Sequence, residues 1–325
     1  MNAIQRSVKR LDAFQQRTPA LAFGWAVIRK FGDDSAGSLA ALVAYYGFLS
    51  LFPLILVLIT VMGLVLTPSE THKVLNSALG QFPVIGTQLA GPNGVHALKE
   101  GSAFGLVIGL VGLIWGSLGI TQAAQAAMAQ VWNVPLVKRP GYLPRLVRGI
   151  GFLFLLLGDV IVTSVLAGFA TFGSGGIGTR VGAGLVTIAV DMALFIVAFR
   201  LLTPNVIRTR LLLVGATVAG TVWAILQLGG TSLVGHQLKH SNQVYGTFGS
   251  ILGLLAFLYL AAEITMYAAE LNVVRSRRLY PRSILAPPLT AADRRVLSDI
   301  AKATERRPEQ SVQVDFNDAG DWSNR

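Results

Sequence analysis

Two things are scarce in this 325-residue chain: cysteine is absent, and charged residues make up only 13% of the sequence. Without cysteine there is no disulfide framework and no thiolate metal site. An ordinary soluble domain has about a quarter of its residues charged, so this composition argues against a water-soluble domain. The sequence also has no Walker loop, no H-E-x-x-H and no G-x-S-x-G signature. We expect no cofactor and no metal site, and the sequence favours a protein that is not an enzyme without deciding the matter.

Long apolar runs fill most of the chain, whose hydrophobic content is 53%. A helix needs about 20 predominantly apolar residues to cross a bilayer. The sequence therefore predicts an all-α fold: a polytopic membrane protein with a six-transmembrane-helix bundle. The predicted spans are 39–66, 104–131, 146–171, 181–202, 211–235 and 245–273. Residues 1–20 lack the apolar region of a cleavable signal peptide.

The basic residues are distributed unevenly between the two sides of this predicted bundle. Of the 27 lysines and arginines, 23 fall in the two tails and the second and fourth loops. Basic loops stay in the cytoplasm, so we expect a multi-pass protein of the bacterial inner membrane with both termini cytoplasmic. The net charge of +11 then reflects topology and contact with anionic membrane lipids. We expect no nucleic-acid partner.

Amphipathic segments flank the predicted spans. Residues 4–17 repeat apolar side chains at helical spacing among basic ones, which is typical of a helix lying on the inner leaflet. The long external loop at 67–103 contains a second short amphipathic helix, and Thr290 with Asp293 forms a capping box for a third. These features predict an interfacial N-terminal segment, a membrane domain, and a cytoplasmic tail with a short helix followed by disorder, at 1–32, 33–275 and 276–325.

Four carboxylates lie inside the predicted spans: Asp159, Asp191, Glu263 and Glu270. A charge near the bilayer centre costs roughly 2.5–3.5 kcal/mol on insertion scales, so such residues usually face a bundle interior or a wet cavity. We expect the first three to line a common substrate or proton cavity. Protonated acids that only hold helices together are the alternative for all three. Other polar candidates for the cavity are Gln122, Gln125, Tyr45 and Tyr46.

Glu270 is closer than the others to the cytoplasmic end of its span. We expect it to serve structure by pairing with Arg275 or with an arginine of another loop. Small residues recur every three or four positions in two spans and predict smooth faces for close helix packing. The glycines of these faces are Gly105, Gly109, Gly112, Gly116 and Gly119 in the second span, and Gly246, Gly249 and Gly253 in the sixth.

Four short motifs, in order along the chain, resemble the YihY/BrkB family of bacterial inner-membrane proteins. They are AYYGFLSLFP at 44–53, WNV at 132–134, YGTFG at 245–249 and AAELN at 268–272. The resemblance implies a six-helix integral protein of the cytoplasmic membrane. Family members have been labelled both as a ribonuclease of the BN type that processes tRNA and as a serum-resistance or virulence factor, and neither label brings a catalytic motif.

Three functions follow as candidates. The leading one is transport or handling of a lipid, a lipid-linked substrate or another envelope component, because glycine-smoothed helices and mid-depth acids suit a bundle that can open. The second is a membrane-bound ribonuclease, which the dispersed acids disfavour because metal-dependent RNA cleavage needs clustered ligands. The third is an envelope scaffold that transports nothing. The sequence is compatible with a homo-oligomer and does not identify a coupling ion.

Overall fold

The computed structural model describes residues 3–65, 103–172, 177–286 and 288–316. All regular secondary structure in these ranges is helical, which confirms the all-α prediction for this part of the chain. Short 3-10 turns join α4 to α5 and α6 to α7. The α-helices in these ranges are α1 (Ala3–Arg17), α2 (Pro19–Asp33), α3 (Ala36–Val65), α4 (Ala103–Val131), α5 (Tyr142–Phe172), α6 (Ile177–Leu202), α7 (Leu213–Arg277) and α8 (Ala291–Lys302).

The helices at the two ends of the chain begin where local chemistry favours them. The prediction of a helix over 4–17 is confirmed by α1. Pro19 opens α2 because proline lacks the N–H that the first helical turn leaves unpaired. The predicted capping box is present at α8: Thr290 Oγ1 accepts from the Asp293 N–H at 3.1 Å, and the Asp293 carboxylate accepts from the Thr290 N–H at 2.9 Å.

The longer helices pack as a bundle in which α3 lies along α4, α5 along α6, and α7 against both α6 and α3. The best-packed part of the described core lies where α4, α6 and α7 end and α3 and α5 begin. Trp132, Met128, Phe199, Met266 and Val273 are all buried there. We call this region the basic end of the bundle, because the sequence places the predicted cytoplasmic loops on this side.

Helix α7 is 65 residues long and would extend about 98 Å if it were straight. Its two ends nevertheless touch: Asn272 Nδ2 donates to Leu212 O at 3.0 Å, and Asn272 Oδ1 accepts from the Gly215 N–H at 2.7 Å. A Cβ atom on Gly215 would overlap the carbonyl oxygen of Ala268, so only glycine permits this approach. The chain therefore reverses direction within α7, and its two ends lie side by side.

Two stretches, Gly184–Leu202 and Ile251–Arg277, are long and apolar enough to cross a membrane. Only 22% of the membrane-length window in each is buried, whereas the core helix of a soluble protein is mostly buried. Exposed apolar surface is unfavourable in water by about 25 cal/mol per Å², so these faces are suited to lipid. The helix predicted in the external loop lies outside the described residues.

Candidate functional site

Asp191 is the most deeply buried of the predicted cavity acids. It lies on α6 with no exposed surface, and neither carboxylate oxygen has a hydrogen-bond partner in the described part of the chain. Helix α7 approaches closely at this point, because a Cβ on Gly220 would lie 2.8 Å from Met192 Cα and 3.1 Å from Asp191 O. A buried polar group without partners is costly, so this carboxyl stands out as a functional candidate.

Asp159 lies on α5, which packs against α6. The two carboxyl groups are close enough for their charges to interact. The structure therefore brings together two of the three acids that the sequence assigned to a cavity. Glu263, the third, is half-buried on α7, and its charge acts on the hydroxyl of Tyr267 one turn further on. Its place in a shared cavity stays a prediction.

Part of the predicted polar set lies around a groove of about 740 Å³ on the side of the bundle. Helices α3 and α4 and the start of α5 form this groove, which we call the α3–α4 groove. Its lining includes Leu42, Tyr46, Trp115, Gln122, Ala126 and Arg145, and none of the four intramembrane acids. Trp115 is 76% exposed, so the groove opens sideways, toward the region that lipid would occupy.

The remaining polar candidates, Gln125 and Tyr45, are not among the described lining residues of the groove. Gln125 is buried, and its Nε2 donates to the backbone carbonyl of Arg145 at 3.0 Å, which fixes the start of α5 against α4. Tyr45 is 53% exposed and meets Tyr46 edge to face, with ring centroids 5.5 Å apart. Gln125 therefore positions one end of the groove, whereas Tyr45 lies on the exposed surface beside Tyr46.

The glycine face of α4 lies against α3. A Cβ on Gly116 would come within 2.8 Å of Ser50 Cα, and one on Gly119 would overlap the ring of Tyr46. Gly119 belongs to the same predicted stripe of glycines as Gly116. The other glycines predicted to serve helix packing lie in α4 and α7, and their role in packing stays a prediction. They are Gly105, Gly109, Gly112, Gly246, Gly249 and Gly253.

A buried ionic cluster, which the sequence did not predict, connects α2, α4 and α7 at the basic end. We call Lys30, Asp34, Asn133 and Glu270 the Lys30 cluster. Lys30 Nζ pairs with Asp34, lies 3.5 Å from Glu270 Oε2, and donates to Val131 O at 3.1 Å. Lys30 and Glu270 have no exposed surface. Glu270 therefore pairs with a lysine of the N-terminal segment instead of a nearby arginine.

Asn133 completes the Lys30 cluster from the turn after α4. Its backbone is in the left-handed region with φ 45°, which asparagine tolerates better than most residues. This conformation lets its Nδ2 donate to Asp34 Oδ1 at 3.1 Å. The WNV motif thus supplies a polar contact to the α2–α3 turn. The four-residue spacing of Lys30 and Asp34 at the end of α2 was a sequence signal that could have suggested their ion pair.

A second buried cluster joins the two ends of the chain. We call Arg282, Asp33, Asp293 and Ser283 the Arg282 cluster. Arg282 Nη2 donates to Asp33 at 2.7 Å, and its Nε pairs with Asp293. Ser283 Oγ also donates to Asp293, at 2.7 Å. Burial alone raises the pKa of the Asp293 carboxyl, but these hydrogen bonds outweigh burial and lower the pKa to about 2.

Further contacts hold the C-terminal segment against α1. Gln15 Nε2 donates to Arg282 O at 2.8 Å, and Asp12 Oδ1 accepts from the Ile284 N–H at 3.0 Å. The predicted N-terminal and C-terminal segments therefore form one layer at the basic end of the bundle. In the described residues, no group of three or more histidine, aspartate or glutamate side chains is arranged to hold a metal ion.

Four arginines lie near the basic end of the bundle, and we call Arg139, Arg145, Arg148 and Arg200 the basic cluster. Of these, Arg145 lines the α3–α4 groove. Burial lowers the pKa of Arg139, and the positive charge of Arg145 lowers it further. Arg148 and Arg200 are also close enough for their charges to interact. Like charges held close together favour an anion among them. The pair of Arg139 and Arg145 is therefore the positively charged feature of the α3–α4 groove.

Exposed apolar helices of membrane length, buried intramembrane acids and a charged layer at one end define a helical integral membrane protein. The sequence profile of the Virulence factor BrkB family matches residues 27–291. The chain belongs to this family, which confirms the resemblance seen in its motifs. No solved structure matches the chain significantly.

Curated relatives are similar over most of the chain. A UPF0761 membrane protein of Xanthomonas axonopodis pv. citri is 24% identical over 298 residues, which cover 89% of this chain and 68% of the relative. A second UPF0761 membrane protein, of Xanthomonas euvesicatoria pv. vesicatoria, is 22% identical over 298 residues, covering 89% and 69%. The names of these relatives state a membrane location and no activity.

Proposed function

We propose that the chain is a six-span protein of the bacterial inner membrane that moves or handles a lipid, a lipid-linked substrate or another envelope component. Both termini are cytoplasmic in this proposal, and α7 supplies the fifth and sixth spans. The reversal within α7 and the distribution of basic residues support this arrangement. Membrane lipids are the expected partners.

The observation that carries the functional part is the carboxyl group of Asp191. It is fully buried on a helix of membrane length, without a hydrogen-bond partner in the described part of the chain and with a second acid nearby. Membrane proteins keep such costly groups mostly where substrates, ions or protons pass. Asp159 and Asp191 are therefore the groups we assign to a path through the bundle.

The test is flux of a fluorescent lipid between leaflets of proteoliposomes. Asp191→Asn and Asp159→Asn preserve shape and hydrogen-bonding capacity but remove the ability to ionise. Both should insert and melt like the parent protein, and both should lower the flux at least tenfold. Asp315→Asn, which changes an exposed carboxyl of the tail, is the control and should keep full activity.

The outcomes separate the candidate functions. Parental flux in both acid variants would refute the role of the acids. Absence of flux in the parent protein, for any lipid tested, would favour an envelope scaffold. Hydrolysis of RNA by purified protein that Asp159→Asn or Asp191→Asn abolishes would instead support the ribonuclease alternative.

A further inference from the structure

The α3–α4 groove has two chemically different ends. Arg145 and Gln122 lie toward the basic end of the bundle, whereas Val111 and Trp115 lie along α4 in the opposite direction. None of the lining residues that the structure describes carries a carboxylate. The groove therefore combines one cationic, hydrogen-bonding end with an apolar channel that is open to the side.

The length of the apolar part matches one leaflet of a membrane. Val111 and Gln122 both line the groove, and their separation along the helix is roughly 16 Å at about 1.5 Å per residue. The hydrocarbon core of a bilayer is about 30 Å thick, so one leaflet contributes about 15 Å. An acyl chain whose headgroup is held near Arg145 would end near Val111.

The floor and the charged end of the groove are fixed by packing. The ring of Tyr46 lies where a Cβ on Gly119 would be, so α3 and α4 are in direct contact beneath the groove. Gln125 holds the backbone of Arg145, and a Cβ on Gly149 would lie 2.7 Å from Thr121 Oγ1. Helix α5 is thus held tightly against α4, and the Arg145 side chain starts from a defined position.

The charge around Arg145 selects the kind of headgroup. Arg139 acts on it electrostatically, and Arg148 is one helical turn away on the same face. Arginine binds phosphate oxygens through several donors of its planar guanidinium group. A zwitterionic headgroup would bring its own ammonium group into this positive region, whereas a headgroup with a net negative charge would not.

We propose that the α3–α4 groove binds one anionic glycerophospholipid, with its phosphate on Arg145 and one acyl chain along Val111 and Trp115. Gln122 and Tyr46 both line the groove, and in this proposal they hydrogen-bond the ester region of the lipid. Lipid binding at this site rests on the geometry above. The further statement that substrate enters the bundle through this site rests on the proposed function.

The experiment uses the full chain in nanodiscs of phosphatidylcholine that contain a trace of phosphatidylglycerol with a photoactivatable acyl chain. After illumination, mass spectrometry locates the labelled peptides. Label should concentrate in peptides covering 42–49 and 111–126. Unlabelled phosphatidylglycerol should compete for the site, and phosphatidylcholine should not.

Two variants test the two ends of the groove separately. Arg145→Gln should lower specific labelling about fivefold, which corresponds to ~1 kcal/mol for one basic residue near a membrane surface. Ala126→Trp fills the groove and should remove the label from both peptides. Arg208→Gln changes an exposed arginine outside the groove and is the matched control. Each variant is compared with the parent by its melting temperature, so that loss of fold is recognised.

Equal labelling of the parent and a folded Arg145→Gln variant would overturn the proposal, because ordinary surrounding lipid would then explain the signal. Equal competition by phosphatidylcholine would overturn it as well. Crosslinks between two copies through Trp115, with little lipid label, would show that a second copy of the chain fills the groove instead.

Flux measured on the same variants distinguishes this proposal from the proposed function. Specific labelling without flux in the parent would support the lipid site and reject lipid movement. Flux that is unchanged by Ala126→Trp, with labelling lost, would support the lipid site and reject its role as an entry point.

Discussion

Replacing Lys30 with methionine tests the Lys30 cluster most directly. Lys30, Asp34 and Glu270 are all buried, and Lys30 is the one cation of the cluster. Lys30→Met keeps a side chain of similar length but leaves two carboxylates close together without a positive partner. Removing one partner of a buried ion pair typically costs 3–5 kcal/mol. That is a large part of the 5–15 kcal/mol by which folded domains are usually stable.

Glu270→Gln should be much milder. This substitution leaves the Lys30–Asp34 pair intact and removes the excess negative charge of the cluster. We expect a change of about 1 kcal/mol, the usual net value of a single polar contact. The order of the two variants therefore separates a lysine that neutralises buried acids from a lysine that merely fills space.

The assay is the loss of the monodisperse peak in size-exclusion chromatography after heating the purified protein in detergent. Lys30→Met should lower the melting temperature by on the order of 10 °C, and Glu270→Gln by only a few degrees. Lys138→Met, at an exposed lysine, should match the parent and is the control. Parental melting of Lys30→Met, or an equal fall for Glu270→Gln, would refute this account of the cluster.

Three further predictions concern packing, acidity and topology. Gly116→Leu should destabilise the protein by about 1–3 kcal/mol, because the new side chain meets the α3 backbone. Gly158→Leu, at a position with open space, is the control and should not destabilise it. The melting temperatures of the two variants test this difference. The low pKa of Asp293, about 2, contributes stability that is complete above about pH 4 and disappears as the pH falls toward 2. Proteolytic release of the C-terminal segment should therefore increase as the pH falls from about 4 toward 2. In Asp293→Asn the same release should already occur at neutral pH. Impermeant thiol reagents should label a cysteine at Asn93 but not one at Ser311 in intact cells, and the reverse pattern would overturn the proposed topology.

The helices could be predicted from the sequence because their causes are local. Apolar runs, the amphipathic repeat over 4–17 and the Thr290 capping box each involve residues within a few turns of one another. The contact between Asn272 and Leu212 could not be predicted in this way, because it joins backbone and side-chain groups 60 residues apart. Nothing near Leu212 in the sequence indicates that its carbonyl needs a distant amide.

The buried charges of the site also show that a contact between distant parts of the chain is not predictable from local sequence. Asp159 and Asp191 stand out in the sequence because each lies alone in an apolar run, and the structure places them close to each other. Lys30 does not stand out, because it is one of several basic residues in an N-terminal segment where basic residues are expected. Its burial depends on three helices that meet around it, and a single sequence does not show that meeting.

The pairing within the Lys30 cluster also bears on the order in which the chain is assembled. Asp34 is one helical turn from Lys30, so this pair can form as soon as α2 leaves the ribosome. Glu270 is made about 240 residues later, or roughly 12–48 s at ordinary rates of synthesis. During that interval the lysine already has a partner and the early helices can insert without an isolated charge. Arrival of the last helix then completes the cluster, so closure of the bundle is deferred until the whole membrane domain has been synthesised.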